Sequence, residues 1–494
     1  MRIRSWLCGL FLACLFLCGP AGIAEASLTA GTAKENLTPP PGTPLSGYGK
    51  LRGKPSTGTH DPLYARAIAL SNGPQTVLFL SLDLCLIDEN LRHEIYEKIH
   101  AAIPEFDSPN LILFATHTHS GAGAVGKRFW ERFIMGKFNR NVFKTLTDRA
   151  AAAGIRALQN RTPVTVEAAA IPLGSLVENR MLPNLRYPQT LKVLRFEDND
   201  GTVRGLLLFM AAHPTVFPAK TLHFSADYPG LLASRLESRF PQAGIVFANG
   251  AAGDLRPHLI DSEDRIEKMT VFAEALEAQL AQASFKPAGL DMPWKTLLER
   301  VKLPRVRVRA GWFHVPSLVG NRFFPRKTWF QAVRMGSFAF LTFPGELTSE
   351  IGNEIENAVR EKELTPIIIG YANDYLGYVV PRRYYKDMDQ YESRVSFYGR
   401  EMDWFAIRKM VSLADRLLSE EERNTANPPG HLELADELPV LYVKGDAYHQ
   451  GYEEGRLLQE QIQSGLDQIH AYFRSELKVP LLNRLIIRVM GNHA

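Results

Sequence analysis

Residues able to hold a metal recur in this chain where apolar runs stop. His117 and His119 follow the run 110–115, His213 follows 203–212, Glu346 follows 338–343, and Tyr378 lies beyond 366–371. In a layered α/β protein such strand ends share one edge of the sheet, where ligand sites form. Zinc takes neutral imidazole nitrogen at about 2.0–2.1 Å, and a catalytic site keeps one position open. On an extended segment, positions i and i+2 point the same way. Both imidazoles of Thr116-His-Thr-His-Ser120 would then face one cavity. A hydrogen-bonded turn competes with that reading, and His213-Pro-Thr215 at a second strand end tips it toward a metal. Glu346, in Phe343-Pro-Gly-Glu-Leu-Thr348, reads equally as a ligand or as a carboxylate favouring a helix N-terminus. By spacing alone Tyr378 is a core tyrosine, since phenolate ligation requires a metal to lower a pKa of about 10.

The elements that must place these side chains form an alternating pattern. Residues 76–84 are a β-rich apolar run, and Asp88 can cap a helix with Leu91, Ile95 and Ile99 at i, i+4 and i+8. Run 110–115 completes a β-α-β unit. Runs 203–212, 243–248, 338–343 and 366–371 repeat the design, with a helix expected from Thr348. Near-continuous apolar strands belong to a sheet covered on both faces. The expected fold is therefore α/β, a layered mixed or parallel sheet with helices on its faces and a site at the strand C-terminal ends. Pro229, after Asp227, suits the first position of a further helix. The stretch 127–143, with Phe129, Trp130, Phe133 and Phe138, reads as a lipid-facing helix or as a core-packed one with a solvated basic face. The second reading is favoured.

With 494 residues and 45% hydrophobic content the chain can bury one large core or two moderate ones. A net charge of +4 without a long basic run argues against nucleic acid as a partner. Arg2 and Arg4, the apolar run 6–18 and Ala24-Glu-Ala26 fit a cleaved export signal at 1–26. That run falls short of the roughly 20 residues a membrane span needs. Cys8, Cys14 and Cys18 go with the signal, so Cys85 alone remains and neither an internal disulfide nor a thiolate cluster is expected. The expected location is periplasmic or secreted. Asn427-Pro-Pro-Gly430 marks a linker, expected over 426–439.

Several motifs occur in order: Ser46-Gly-Tyr-Gly49, Gly58-Thr-His-Asp-Pro-Leu-Tyr-Ala-Arg66, Ala115-Thr-His-Thr-His-Ser-Gly121, Asn179-Arg180 and His213-Pro-Thr215. Ser225-Ala-Asp227, the stretch 250–257, Pro344-Gly-Glu346, Asn373-Asp-Tyr-Leu-Gly-Tyr378, Tyr391-Glu392 and Phe397-Tyr-Gly399 follow. Together they resemble the catalytic domain of the neutral (non-lysosomal) ceramidases over roughly residues 28–420. The resemblance implies a zinc ion held by His117, His213, Glu346 and Tyr378. It implies substrate and oxyanion contacts from His119 and Arg180, with Tyr391 lining the same site. The implied reaction is hydrolysis of an N-acyl amide, zinc activating water and polarising the acyl carbonyl. Backbone amides of the 250–253 turn would join His119 and Arg180 in stabilising the oxyanion.

One position departs from the family. Its Gly-Asp-x-Ser-Pro-Asn motif carries a serine implicated in catalysis, where this chain has Gly253-Asp-Leu-Arg-Pro-His258. Arg256 cannot accept an acyl group, which leaves zinc-activated water as the nucleophile. Arg256 either grips an anionic substrate group with its planar fork or forms a structural salt bridge to Asp254 or Asp261. No counterpart of the family's C-terminal immunoglobulin-like domain is expected, so the substrate need not be ceramide itself. The stretch 441–458 instead resembles the opening of acyltransferase-type N-terminal-nucleophile hydrolases, without their downstream cysteine.

The resulting expectation is an exported zinc hydrolase at 27–425, cleaving an N-acylated lipid-like substrate, with peripheral membrane contact left open. A partial acyltransferase-like segment would follow at 440–494. The alternatives are a zinc esterase or amidase on a different, anionic substrate, and a non-catalytic relative that binds lipid or metal.

Overall fold

Each apolar run that the sequence marks as a strand pairs in parallel with another, and each such pair seeds a separate sheet. The computed structural model describes residues 28–425, apart from 48–53, 129, 184–186, 291–292, 311–312, 315–316 and 388–389. The expected export signal, the linker and the segment 440–494 lie outside the described residues.

The first sheet runs, in spatial order, Leu111–Ala115, Thr76–Leu82, Tyr64–Ser71, Thr29–Asn36 and Thr162–Pro163. The second runs Gly244–Asn249, Val203–Met210, Thr190–Glu197, Thr165–Pro172 and Lys286–Pro287. The third runs Trp294–Lys302, Lys327–Met335, Phe338–Thr342 and Thr365–Ile369. In each, one edge pair is parallel and every other pairing is antiparallel. The architecture is mixed α/β, but the single layered sheet expected from the sequence is three. Antiparallel strands such as Thr165–Pro172 and Trp294–Lys302 are interrupted by polar or partly exposed positions and so lack the continuous apolar signal of the parallel pairs.

Side-chain alternation explains how the sheets assemble. In the first, Leu78, Leu80 and Leu82 face one cluster while Val77 and Phe79 face another. Leu206, Leu208 and Met210 divide likewise from Leu207 and Phe209, and Ala339 and Leu341 divide from Phe338 and Phe340. The inward set from all three sheets forms one shared core. Each outward set is covered by two helices. These are Glu89–Ala102 with Arg140–Gln159, Asp227–Arg239 with Arg265–Ala281, and Ser349–Arg360 with Met402–Leu417. Thus the strands are covered on both faces, by helices on one side and by the other sheets on the other.

Asp88 caps its helix as the sequence suggested, its carboxylate accepting from the Leu91 N–H at 2.7 Å, and Leu91, Ile95 and Ile99 are buried. Within 127–143 a short helix, Glu131–Met135, precedes Arg140–Gln159. Trp130, Ile134 and Phe138 pack on the first cluster and Phe143 is buried in it, which favours the core-packed reading. Among the described residues no helix is long and apolar enough to cross a membrane.

Candidate metal centre

The three parallel pairs end at one place, and the chain segments that leave them carry the candidate residues. His117 follows Leu111–Ala115, His213 follows Val203–Met210, and Glu346 follows Phe338–Thr342. Glu346 opens a short strand that pairs in parallel with the one beginning at Tyr378. His117, His213 and Glu346 are each exposed by 1% or less, and Tyr378 is buried as well.

His117 does not continue its strand. Its φ is +70°, a left-handed conformation uncommon outside glycine and often found at functional sites. The expected alternation of an extended segment is therefore not what brings the two histidines together. The reversal at His117 does so, leaving the rings of His117 and His119 4.6 Å apart and nearly perpendicular. Their Nε2 atoms are 3.0 Å apart.

The hydrogen bonds assign each tautomer. His117 Nδ1 donates to the Cys85 carbonyl at 2.6 Å, and His213 Nδ1 donates to that of Ala252 at 2.7 Å. Burial pushes both imidazoles well below their ordinary pKa, against the nearby Glu346 charge in the case of His117, so both are neutral. With the proton on Nδ1, each Nε2 presents a lone pair. Both lone pairs meet the same carboxylate oxygen, Glu346 Oε2, at 3.5 Å for His117 and 3.0 Å for His213. Three acceptors converging in a dry site are a ready set of ligands for a cation. The donor atoms all fall within 4.8 Å of each other, so this group can hold a metal ion.

Tyr378 joins from the side. Its hydroxyl lies 3.0 Å from His213 Nε2 and accepts from Arg180 Nη2 at 3.1 Å. Burial, reinforced by Glu346 and opposed by Arg180, holds the phenol well above its usual pKa. Arg180 also donates through Nη2 to the Gly253 carbonyl at 2.9 Å and through Nε to Glu392 at 2.8 Å. Burial opposes the arginine charge, but Tyr378 and Glu392 beside it keep it protonated. The Tyr391 ring lies 5.7 Å from that guanidinium and 5.3 Å from the Tyr378 ring. Thus His119, Arg180, Tyr391 and the four candidate ligands form one cluster.

Arg256 is not among them. Its side chain is 46% exposed and pairs with Glu178 at 2.6 Å across a short antiparallel ladder. Leu255 and Pro257 on either side are buried, so strand alternation turns Arg256 outward. Neither Asp254 nor Asp261 is its partner. Asp254 accepts from Ser349 N–H at 2.6 Å and from Asn179 Nδ2 at 2.7 Å, and burial raises its pKa to about 6. The 250–253 turn also differs from expectation. Its Gly250, Ala252 and Gly253 amides donate to the carbonyls of Met210, Gly250 and Leu347 and are not available to an oxyanion. The turn contributes carbonyls instead, to His213 and Arg180.

Sequence reasoning missed Tyr371, Tyr375, Glu392 and Cys85. Tyr371 stacks on His117 at 3.9 Å, and both tyrosine hydroxyls reach Glu346. The clustering of three tyrosines within 371–378 was the available signal.

Residues 29–264 match the family described as neutral/alkaline non-lysosomal ceramidase, N-terminal. This chain is similar to the neutral ceramidases. It is 25% identical over 276 residues to the neutral ceramidase of Pseudomonas aeruginosa and 24% identical over 275 residues to that of Drosophila pseudoobscura pseudoobscura. Those matches cover 52% and 51% of this chain but only 41% and 39% of the two ceramidases. The fold is similar to the crystal structure of the Pseudomonas aeruginosa neutral ceramidase, with a TM-score of 0.71 at 20% identity over 80% of this chain and 76% of that one. A ceramidase complexed with C2 gives a TM-score of 0.70 at 18% identity, over 83% of this chain and 78% of that one.

Proposed function

We propose that this protein is an exported zinc-dependent hydrolase that cleaves the N-acyl amide bond of a ceramide-like lipid. The observation that carries the reading is the convergence of two Nε2 lone pairs on one Glu346 oxygen, with Tyr378 beside them. Two neutral imidazoles, a carboxylate and a phenol form a nitrogen–oxygen donor set suited to zinc. Bound there, zinc supplies Lewis acidity toward an acyl carbonyl and makes water nucleophilic at neutral pH.

The chain's own residues do the rest. Arg180 holds a fixed positive charge beside Tyr378, where an amide oxygen would gain charge, and Glu392 and the Gly253 carbonyl prevent it from turning. His119, kept neutral by burial and by His213 and Arg180, can take up a proton and pass it to the departing nitrogen. The Tyr391 ring packs edge-on against the Tyr378 ring at 5.3 Å, beside the polar cluster. Arg256 is charge-paired and turned outward, so it lends no weight to an anionic substrate.

Metal analysis of the purified protein, with fatty-acid release from N-acylsphingosine, N-acyl amino acids and phosphorylated analogues with and without chelator, tests this reading. We expect bound zinc, chelator-sensitive release from N-acylsphingosine, and loss of both metal and activity in His117→Ala. Absence of zinc would sink the proposal. Zinc without turnover of any acyl substrate would favour a binding relative.

A further inference from the structure

Glu346 has two carboxylate oxygens, and the structure treats them differently. Oε2 faces the two imidazoles at 3.0 and 3.5 Å. Oε1 accepts a short hydrogen bond from the Tyr375 hydroxyl, while the Tyr371 hydroxyl reaches Oε2 only at 3.4 Å. A phenol with an ordinary pKa of about 10 carries its proton at neutral pH, so Tyr375 donates and Oε1 is committed.

Tyr375 is itself held firmly. Its ring stacks on Trp130 at 5.9 Å and 25°, and its N–H donates to Asp374 Oδ1 at 2.9 Å. Asp374 is fully buried and pairs with Arg128 at 2.5 Å, while Thr328 donates to its other oxygen at 3.0 Å. The backbone leading to this loop is left-handed at Tyr371 (φ +55°) and Asn373 (φ +65°). Two non-glycine residues in that region within three positions store strain that surrounding contacts must hold. What the strain achieves is the delivery of Tyr371 and Tyr375 to one carboxylate and of Tyr378 to His213.

The geometry points to Tyr375 as a positioning residue that restricts Glu346 to one-oxygen ligation of the metal. The inference rests on the zinc reading above and adds what this chain does to set the coordination number. A carboxylate free to swing would chelate through both oxygens and fill the position a catalytic zinc keeps open. With Oε1 tied to a phenol anchored through Asp374 and Trp130, that rotation requires breaking a buried hydrogen bond. Tyr375 thus acts through Glu346, without touching the substrate.

Two measurements test this, and neither depends on turnover. Difference infrared spectra of the zinc-loaded against the metal-free wild-type protein, with carboxylate-labelled glutamate, report the separation of the two carboxylate stretches. One-oxygen ligation widens that separation relative to free carboxylate and two-oxygen ligation narrows it. We expect widening, and narrowing would overturn the proposal without disturbing the zinc reading. The second measurement uses the cobalt-substituted protein, whose visible absorption weakens as coordination number rises. Tyr375→Phe keeps the stacking ring and is expected to bind one equivalent of cobalt with severalfold weaker absorption, whereas Tyr371→Phe keeps the wild-type spectrum. An unchanged spectrum in Tyr375→Phe, or equal changes in both variants, would refute the assignment. Wild-type protein that binds neither zinc nor cobalt would instead bring down the zinc reading itself.

Discussion

At the scale of single residues, Arg180 makes the clearest demand on chemistry. One guanidinium spans Glu392, the Gly253 carbonyl and the Tyr378 hydroxyl, and only a planar fork can serve three directions at once. Arg180→Lys keeps the charge and loses the geometry. Removing one preorganised oxyanion donor typically lowers kcat on the order of 10²–10³-fold. We expect such a fall in fatty-acid release with zinc content unchanged, because none of the candidate ligands is removed. Near-wild-type kcat would exclude Arg180 from charge stabilisation. His117 and His213 were legible in the sequence because each interrupts a long apolar run, where a polar residue needs a reason. Tyr371 and Tyr375 were not, since a tyrosine after a strand ordinarily packs its ring in the core, and only the position of its hydroxyl shows otherwise.

At the scale of elements, the segment after His213 is fastened to the start of the helix Asp227–Arg239. Asp227 accepts from the Phe217 N–H and from the Tyr228 N–H, both at 2.7 Å. Burial raises this carboxyl to about 7, despite those donors. An unfolded aspartate titrates near 3.9, so between about pH 4 and 7 the folded state holds more protons than the unfolded. The contribution is therefore fully present below about pH 4 and lost as pH climbs through 7. It amounts to roughly 4 kcal/mol at most, at about 1.4 kcal/mol per pH unit. Melting temperatures from pH 4 to 8 should show this decline in the wild type. Asp227→Asn should be less stable at pH 4, since its amide N–H faces a backbone donor, yet lack the decline. A wild-type melting temperature that is flat across that range would rule out a buried protonated Asp227. The helix itself was readable from Pro229, although it begins two residues earlier, at Asp227. The antiparallel strands Trp294–Lys302 and Thr165–Pro172 were not, because half of their side chains face away from any core and break the apolar signal.

At the scale of the molecule, the candidate ligands come from three sheets, so their convergence depends on how those sheets meet. Phe79, Phe209 and Phe340, one from each sheet, form that meeting point with ring centroids 5.2, 5.8 and 6.5 Å apart. No local pattern reveals such a junction, because the sequence shows that a strand is apolar on both faces but not which face meets a helix. Truncating Phe340 to alanine should cost about 3–5 kcal/mol. It should also loosen the register between the sheets and thereby weaken metal binding. Zinc stabilises the folded protein by RT ln(1 + [L]/Kd), so its increment to stability reports the site's affinity. Phe272→Ala is the matched control. Phe272 packs on Tyr228 at 5.0 Å between one sheet and its own helices and should cost a similar amount when removed. We expect the zinc increment, measured by denaturant midpoints with and without metal, to shrink in Phe340→Ala and to persist in Phe272→Ala. Equal increments in the two variants would mean that the site is held by its local loops and not by the packing of the three sheets.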